Sequence, residues 1–222
     1  MPPKIIFVEG NIGTGKTTFL NLVQEHVDNV QCILEPVDKW TGLSDSSGKN
    51  ILHYFYENME KYTYSFQSYA FLSRVMLLDL IDYSKEYVFI ERSVYSDKNI
   101  FAQNCVQNGT MTEIEWNLYN KWFDWMVGKL IKLDYTHIYL KCQPEVSYAR
   151  LKTRNRPEEQ GISLDYITQI HQRHEEWLGN SDCIVLDASV DYRTNPDLIK
   201  SYIDKCTPNT KPRFTYDLNY IV

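Results

Sequence analysis

The stretch KIIFVEGNIGTGKTT, residues 4–18, limits the possible folds more than any other part of the chain. Gly10 and Gly15 bracket four residues and are followed by Lys16-Thr17, the spacing of a loop that cradles phosphates. Gly10, Gly13 and Gly15 let the backbone turn tightly and aim its N–H groups inward. Lys16 has the reach to meet β- and γ-phosphates as a point charge, and the Thr17 hydroxyl is a hard oxygen suited to Mg2+. Asn11, Thr14 and Thr18 complete the candidate phosphate-binding set. The flanks agree with the motif: residues 5–8 suit a buried strand, and Phe19, Leu20, Val23 and Val27 share one helical face. A glycine-rich turn that binds nothing would not need strand, motif and helix in that order.

Four more apolar runs repeat the strand signal: QCILEP, YVFIER, THIYLKC and CIVLDAS. Helical patterns separate them. Such alternation predicts an α/β fold, a parallel sheet covered by helices on both faces. At 222 residues the chain suits one sizeable domain, and no repeat or linker divides it. A single domain over 1–206 is expected, with 207–222 as a partly ordered tail. TGLSDSSGKN, residues 41–50, has the composition of a flexible loop. MTEIEWNLYNKWFDWM opens with a capping box, Thr112 and Glu115, and then sets Ile114, Leu118, Trp122 and Trp125 on one apolar face. In NPDLIKSYI, Asn195 is the expected N-cap and Pro196 the first helical residue.

The net charge of −6 argues against a nucleic-acid backbone as the main partner. The apolar runs are far too short to span a membrane, and the first strand starts so early that no targeting segment is expected before it. Cys32, Cys105, Cys142, Cys183 and Cys206 are scattered without a CxxC pair. Neither a disulfide framework nor a zinc site is expected, and a reducing cytoplasm is the simplest setting. His171 and His174 lack a third ligand at metal spacing and read as helix surface or core edge.

In open parallel sheets ligands sit beyond the carboxyl ends of the strands. Glu35 ends the second run, and a carboxylate there can take a proton from an attacking hydroxyl; the alternative is a solvated loop acid. Glu91 ends the third run, where an acid commonly holds Mg2+, and Arg92 beside it can screen a phosphoryl group in transfer; the alternative is a surface ion pair. In MEKYTYSFQSYAFLSRVMLLDLI, Gln67, Ala70 and Arg74 share a face, joined by Tyr56 if the helix reaches back that far. An inward glutamine and arginine need partners. A nucleobase edge would satisfy Gln67, and Asp97 can pair with Arg74; an internal ion pair with a capped glutamine is the alternative. In RLKTRNRPEEQGI, Arg150, Arg154 and Arg156 cluster near Pro157, which suggests a lid over residues 150–161 that clamps phosphates and excludes water.

EGNIGTGKTTF, EPVDKW, SFQSYAFLSR, ERSVYSDKNIF and RNRPEEQGISLDYI…HEEWL resemble the deoxynucleoside kinase family, in order and with family spacing, from about residue 4 to about residue 190. Within it the chain is more similar to the deoxycytidine and deoxyguanosine kinases than to the thymidine-preferring members. The resemblance implies a five-stranded parallel sheet, a helix-packed homodimer, and Mg2+-dependent transfer of the γ-phosphoryl group of ATP to the 5′-hydroxyl of a deoxynucleoside, in nucleotide salvage. It implies Glu35 as general base, with Lys16 and Arg92 as catalytic partners, and Thr17 and Glu91 at the metal. Gln67, Arg74 and Asp97 match the base-reading set, Phe66 and Phe101 the aromatic walls, and Trp40 and Ala70 the pocket lining. Tyr56 and Glu159 match the pair on the sugar 3′-hydroxyl. Arg150, Arg154, Arg156 and Asp187 are assigned to the nucleotide. Lys98 stands where a basic residue, often Arg, is usual, and Pro157 departs from the lid pattern.

Two rivals remain at this point. A nucleoside monophosphate kinase shares loop and lid but needs a cationic clamp for its acceptor, where this chain offers Glu35 and Glu159. A non-catalytic, kinase-like structural subunit would have no need of Lys16 or Glu35. A switch GTPase is weaker, because no NKxD motif is present. Asp97 accepts hydrogen bonds and so favours a donor-rich base edge, and the Arg74–Asp97 pair fills space that a thymine methyl would need. Deoxycytidine and deoxypurines are therefore expected over thymidine.

Overall fold

The computed structural model describes residues 2–130 and 134–208. Five strands form one parallel sheet: β1 (Lys4–Glu9), β2 (Val30–Ile33), β3 (Tyr87–Glu91), β4 (Tyr135–Lys141) and β5 (Ile184–Asp187). Their order is β2-β3-β1-β4-β5. All five expected strands are present, and each is a parallel partner of its neighbour. The period of two divides the sheet's side chains cleanly. Ile6, Val8 and Phe89 meet Phe19, Leu20 and Val23 of α1 (Lys16–His26) and Ile199 and Ile203 of α10 (Pro196–Cys206). Ile5, Phe7, Val88 and Ile90 meet Leu77 and Ile81 on the other face. Both faces are thus apolar and covered, as a parallel sheet requires.

Between β2 and β3 lie α2 (Val37–Gly42), α3 (Ile51–Glu57) and α4 (Met59–Val75), which runs into a 3-10 turn at Met76–Leu80. The helix carrying Gln67 does not reach back to Tyr56. It breaks at Asn58, whose side chain accepts from the Lys61 N–H and caps α4. The loop-like 41–50 segment contains the end of α2 and a tight turn in which the Asp45 carboxylate accepts from the N–H groups of Ser47 and Lys49. After β3 come α5 (Val94–Ser96), a π-helical stretch at Asp97–Ala102 and α6 (Gln103–Gln107).

The capping box of α7 (Glu113–Leu130) is formed as expected, with Thr112 and Glu115 bonded reciprocally. Its stripe of Ile114, Leu118, Trp122 and Trp125 is exposed, however, from 46% to 74%. The face that packs on α4 is another, formed by Tyr119 and Phe123 against Phe71. The helix is apolar on two sides, so a single-face reading found the outer one. Asn195 caps α10, with Pro196 in its first turn. α8 (Pro144–Arg154) and α9 (Leu164–Leu178) close the fold. His174 on α9 is core rather than edge: it is fully buried and stacks on Tyr139 at 5.7 Å. The expected tail is described only to Pro208; the rest of it lies outside the described residues.

Candidate active site

The loop of residues 10–15 leaves β1 and delivers Lys16 to the first turn of α1. Gly13 is required twice over: its φ is +85°, and a Cβ would lie 2.3 Å from the Ser147 carbonyl oxygen of α8. Gly15, at φ +94°, is the N-cap residue of α1. Lys16 is buried and donates to the Asn11 carbonyl at 2.8 Å. Burial and the nearby Arg92 push its ammonium down to about 7, against the pull of Glu91 and Glu35. The Thr17 hydroxyl lies 3.0 and 3.1 Å from the two Glu91 carboxylate oxygens.

Two cavities meet at these residues. One, of about 510 Å3, runs from residues 13–18 to Arg150, Arg154, Arg156 and Asp191–Arg193. The other, of about 260 Å3, lies between Glu35, Trp40, Tyr56, Phe66, Gln67, Ala70, Arg74, Asp97, Phe101 and Glu159. Gly13, Lys16, Thr17, Glu91, Arg154 and Arg156 belong to both. Every residue expected to contact the nucleoside thus lines a single cavity, although Tyr56 enters from α3 and not from α4.

That cavity is polar at one end and aromatic along its walls. Arg74, from α4, donates to Asp97 at 2.8 Å, to Glu35 at 2.9 Å and to the Glu91 carbonyl at 3.0 Å. Arg92 has φ +63°, strained for a long side chain. It donates to the Gly10 carbonyl at 2.7 Å and lies over the Phe101 ring. Its Nε is 3.0 Å from Glu35, an ion contact without hydrogen-bond alignment. Burial raises the Glu35 carboxyl, but Arg92, Arg74 and Lys16 outweigh it and bring the group down to about 2. Burial pushes Asp97 up to about 6 in spite of Arg74, while Glu35 stays ionised at neutral pH. The Gln67 amide is buried, with a long contact to the Cys105 thiol at 3.9 Å. Trp40 is fixed by a 2.8 Å hydrogen bond to Ser73 and meets Phe66 edge-on at 5.6 Å.

Arg154 and Arg156 both donate to Glu159, which stands in a 3-10 turn at Pro157–Glu159. Arg150 lines the phosphate cavity, but its guanidinium is turned to the carbonyls of Ala188, Ser189 and Val190. Three residues expected at the nucleotide line neither cavity. Asn11 is tied to the Ile167 carbonyl at 2.8 Å. Gly10 lies against Leu140. The Asp187 carboxylate accepts from the Ser189 N–H and hydroxyl. In its stead Asp191, Tyr192 and Arg193 line the cavity. Lys98 points to α7, 3.6 Å from Asp124.

Among the described residues no cluster of three or more His, Cys, Asp or Glu side chains could hold a metal. Mg2+ does not need one, since it takes one or two protein oxygens and completes its shell with phosphate and water. Thr17 and Glu91 supply such hard oxygens at the mouth of the phosphate cavity, and the site fits that ion.

A phosphate loop whose cavity shares Lys16, Thr17 and Glu91 with an aromatic-walled cavity lined by the ionised Glu35 defines a small-molecule kinase. The deoxynucleoside kinase family model matches residues 6–208, and the chain belongs to that family. It is similar to the deoxycytidine kinase of Mus musculus, 40% identical over an alignment of 196 positions that covers 79% of this chain and 75% of that protein. Deoxycytidine kinase 1 of Xenopus laevis is 35% identical, covering 91% and 88%. The mitochondrial deoxyguanosine kinase of Xenopus laevis is 34% identical, covering 80% and 74%. The expectation of an ATP-dependent deoxynucleoside kinase stands on this membership, ahead of the two rivals.

Proposed function

We propose that the protein transfers the γ-phosphoryl group of ATP to the 5′-hydroxyl of deoxycytidine or a deoxypurine nucleoside in preference to thymidine. One observation carries the reading: the two cavities share Lys16, Thr17 and Glu91, and Glu35 lines the acceptor cavity beside them, its backbone N–H donating to the Glu91 carboxylate at 3.5 Å. The base lies between Phe66 and Phe101, with its edge on Gln67 and the Arg74–Asp97 pair. Tyr56 and Glu159 take the 3′-hydroxyl. Glu35 accepts the 5′-hydroxyl proton. At a pKa of about 2 it is a weak base in the free protein, so the proton moves late, as the oxygen bonds to phosphorus and acidifies. Arg92 and the lid arginines screen the charge of the transferring group. Mg2+, held by Thr17 and Glu91, would neutralise phosphate charge when bound.

The arginines that line the acceptor cavity are engaged by carboxylates: Arg74 by Asp97 and Glu35, Arg92 by Glu35, Arg154 and Arg156 by Glu159. That disfavours an acceptor carrying its own phosphate. Residues 1–206 act as one catalytic domain with its lid at 150–161. The exposed apolar stripe of α7 supports a homodimer packed through that helix. The five free thiols suit a cytoplasmic enzyme, and no helix among the described residues is long and apolar enough to cross a membrane.

The test compares turnover of deoxycytidine with that of deoxycytidine monophosphate, in the unmodified protein and in Glu35→Gln. Deoxycytidine should be the better acceptor, and kcat for Glu35→Gln should fall by roughly 10²–10⁴-fold with nucleotide binding retained. Preference for the monophosphate would overturn the acceptor assignment, and near-normal turnover of Glu35→Gln would remove the residue from its role.

A further inference from the structure

Asn50 and Glu158 lie outside both cavities, yet they join the two segments that carry the sugar-binding pair. Asn50 is the N-cap of α3, where its Oδ1 accepts from the His53 N–H at 2.8 Å. Its Nδ2 is left over and donates to the Glu158 carboxylate at 2.9 Å. Glu158 sits in the middle of the Pro157–Glu159 turn, one residue before Glu159. Successive side chains in a 3-10 turn point about a third of a revolution apart. Glu158 is therefore free to meet Asn50 while Glu159 lines the nucleoside cavity. At the other end of α3, Tyr56 lines the same cavity. Long helical side chains lean toward the helix N-terminus, so a residue at position 56 leans toward the end that Asn50 holds.

Both sides of the joint are held in place. Pro157 fixes one backbone angle of the turn, and Arg154 and Arg156 hold Glu159. The N-terminus of α3 is anchored by the Ile51 N–H on the Leu43 carbonyl and by the Tyr54 hydroxyl on Asp45. The Asn50–Glu158 bond adds a directional link between two parts that also pack against each other.

We propose that the Asn50–Glu158 hydrogen bond is a positioning joint that sets the spacing between Tyr56 and Glu159, and so determines how strongly the enzyme distinguishes a nucleoside with a 3′-hydroxyl from one without. The inference rests on the assignment of Tyr56 and Glu159 to the 3′-hydroxyl made above. Asn50 and Glu158 touch no reacting atom. Their effect is confined to substrates that engage the clamp.

The experiment measures the ratio of kcat/KM for 2′-deoxycytidine to that for 2′,3′-dideoxycytidine. Glu158→Ala breaks the joint and leaves the cap of α3 intact. Asn50→Asp also keeps the cap, because Asp caps as well as Asn, but it sets two carboxylates against each other. Each should lower the ratio by roughly 3–10-fold, the range for losing an ordinary hydrogen bond at a half-exposed site. In the Asn50→Asp background, Glu158→Gln supplies an amide donor to the new carboxylate, and the ratio should recover toward the unmodified value. A merely structural role would lower both kcat/KM values equally and leave the ratio unchanged. Tyr56→Phe serves as reference. If it lowers the ratio and Glu158→Ala and Asn50→Asp do not, the joint is refuted alone. If Tyr56→Phe itself has no effect on the ratio, the 3′-hydroxyl assignment fails and the joint falls with it.

Discussion

Lys16 gives the sharpest quantitative expectation. The side chain is 5% exposed and is held down to about 7 by burial and Arg92. At pH 8 such a group is roughly nine-tenths neutral. A triphosphate beside it favours the ammonium and raises its pKa well above the working range. Binding of an ATP analogue with Mg2+ should therefore take up about 0.9 proton per site at pH 8 and about half a proton at pH 7. The linkage also sets the affinity, which should fall about fivefold from pH 7 to 8 and nearly tenfold from pH 8 to 9. Calorimetry of a non-hydrolysable analogue in two buffers of different ionisation enthalpy reads the proton directly. Lys16→Met separates this proton from any that the nucleotide carries. The folded value is depressed below the ordinary 10.5, so the unfolded chain binds the extra proton between the two. Stability should rise with pH from about 7 toward that value, and this contribution is lost as pH falls through 7. Uptake at pH 8 that is the same in the unmodified protein and in Lys16→Met would refute the reasoning.

The remaining two expectations concern the base and the assembly. Arg74→Met with Asp97→Ala should empty the space beside Gln67 and raise thymidine kcat/KM relative to deoxycytidine by roughly 10–200-fold, the worth of about one methyl-sized misfit; thymidine as the best substrate of the unmodified enzyme would sink this account of the pocket. Trp122→Glu places a charge among Leu118 and Trp125 on the exposed face of α7, and sedimentation should show a dimer converted to monomer with the fold intact; a dimer unchanged by the substitution would exclude that face.

The sheet was legible because each strand is an apolar run that turn chemistry bounds. The nucleoside cavity was legible in part from spacing: Gln67, Ala70 and Arg74 fall on one face of α4, and the Arg74–Asp97 pair follows from the need to satisfy a buried guanidinium. Tyr56 joins the other expected nucleoside contacts in one cavity, but through an expectation that was wrong in detail. Its spacing from Gln67 suited one long helix, but Asn58 ends one helix and caps the next, and the residue arrives from a second element. Clustering could not tell the three arginines apart. Arg154 and Arg156 turn to Glu159, while Arg150 is spent on carbonyls after β5. Asp191–Arg193 gave no periodic signal. They were accessible only through the rule that turns at the carboxyl edge of a parallel sheet meet the ligand.

The site's charges bear directly on the lid proposed at residues 150–161. Arg154 and Arg156 line both cavities and in the free protein both are held by Glu159. A phosphate entering beside them competes with a carboxylate for the same guanidinium groups. Partial release of Glu159 toward a sugar hydroxyl would leave the two cations to the triphosphate, so filling one cavity eases the filling of the other. Glu35 has no such freedom. It is fixed by Arg74 and Arg92, which are themselves anchored on Asp97, the Glu91 carbonyl and the Gly10 carbonyl. The strained φ of Arg92 is the local cost of that anchoring, about 1–3 kcal/mol. The backbone that bears it lies next to Glu91 and close to the phosphate loop and Glu35; Glu91 and Glu35 are the two acids proposed as metal ligand and base. Glu35 thus stands in a network anchored on backbone carbonyls, whereas Arg154 and Arg156 are held by the Glu159 carboxylate on the proposed lid.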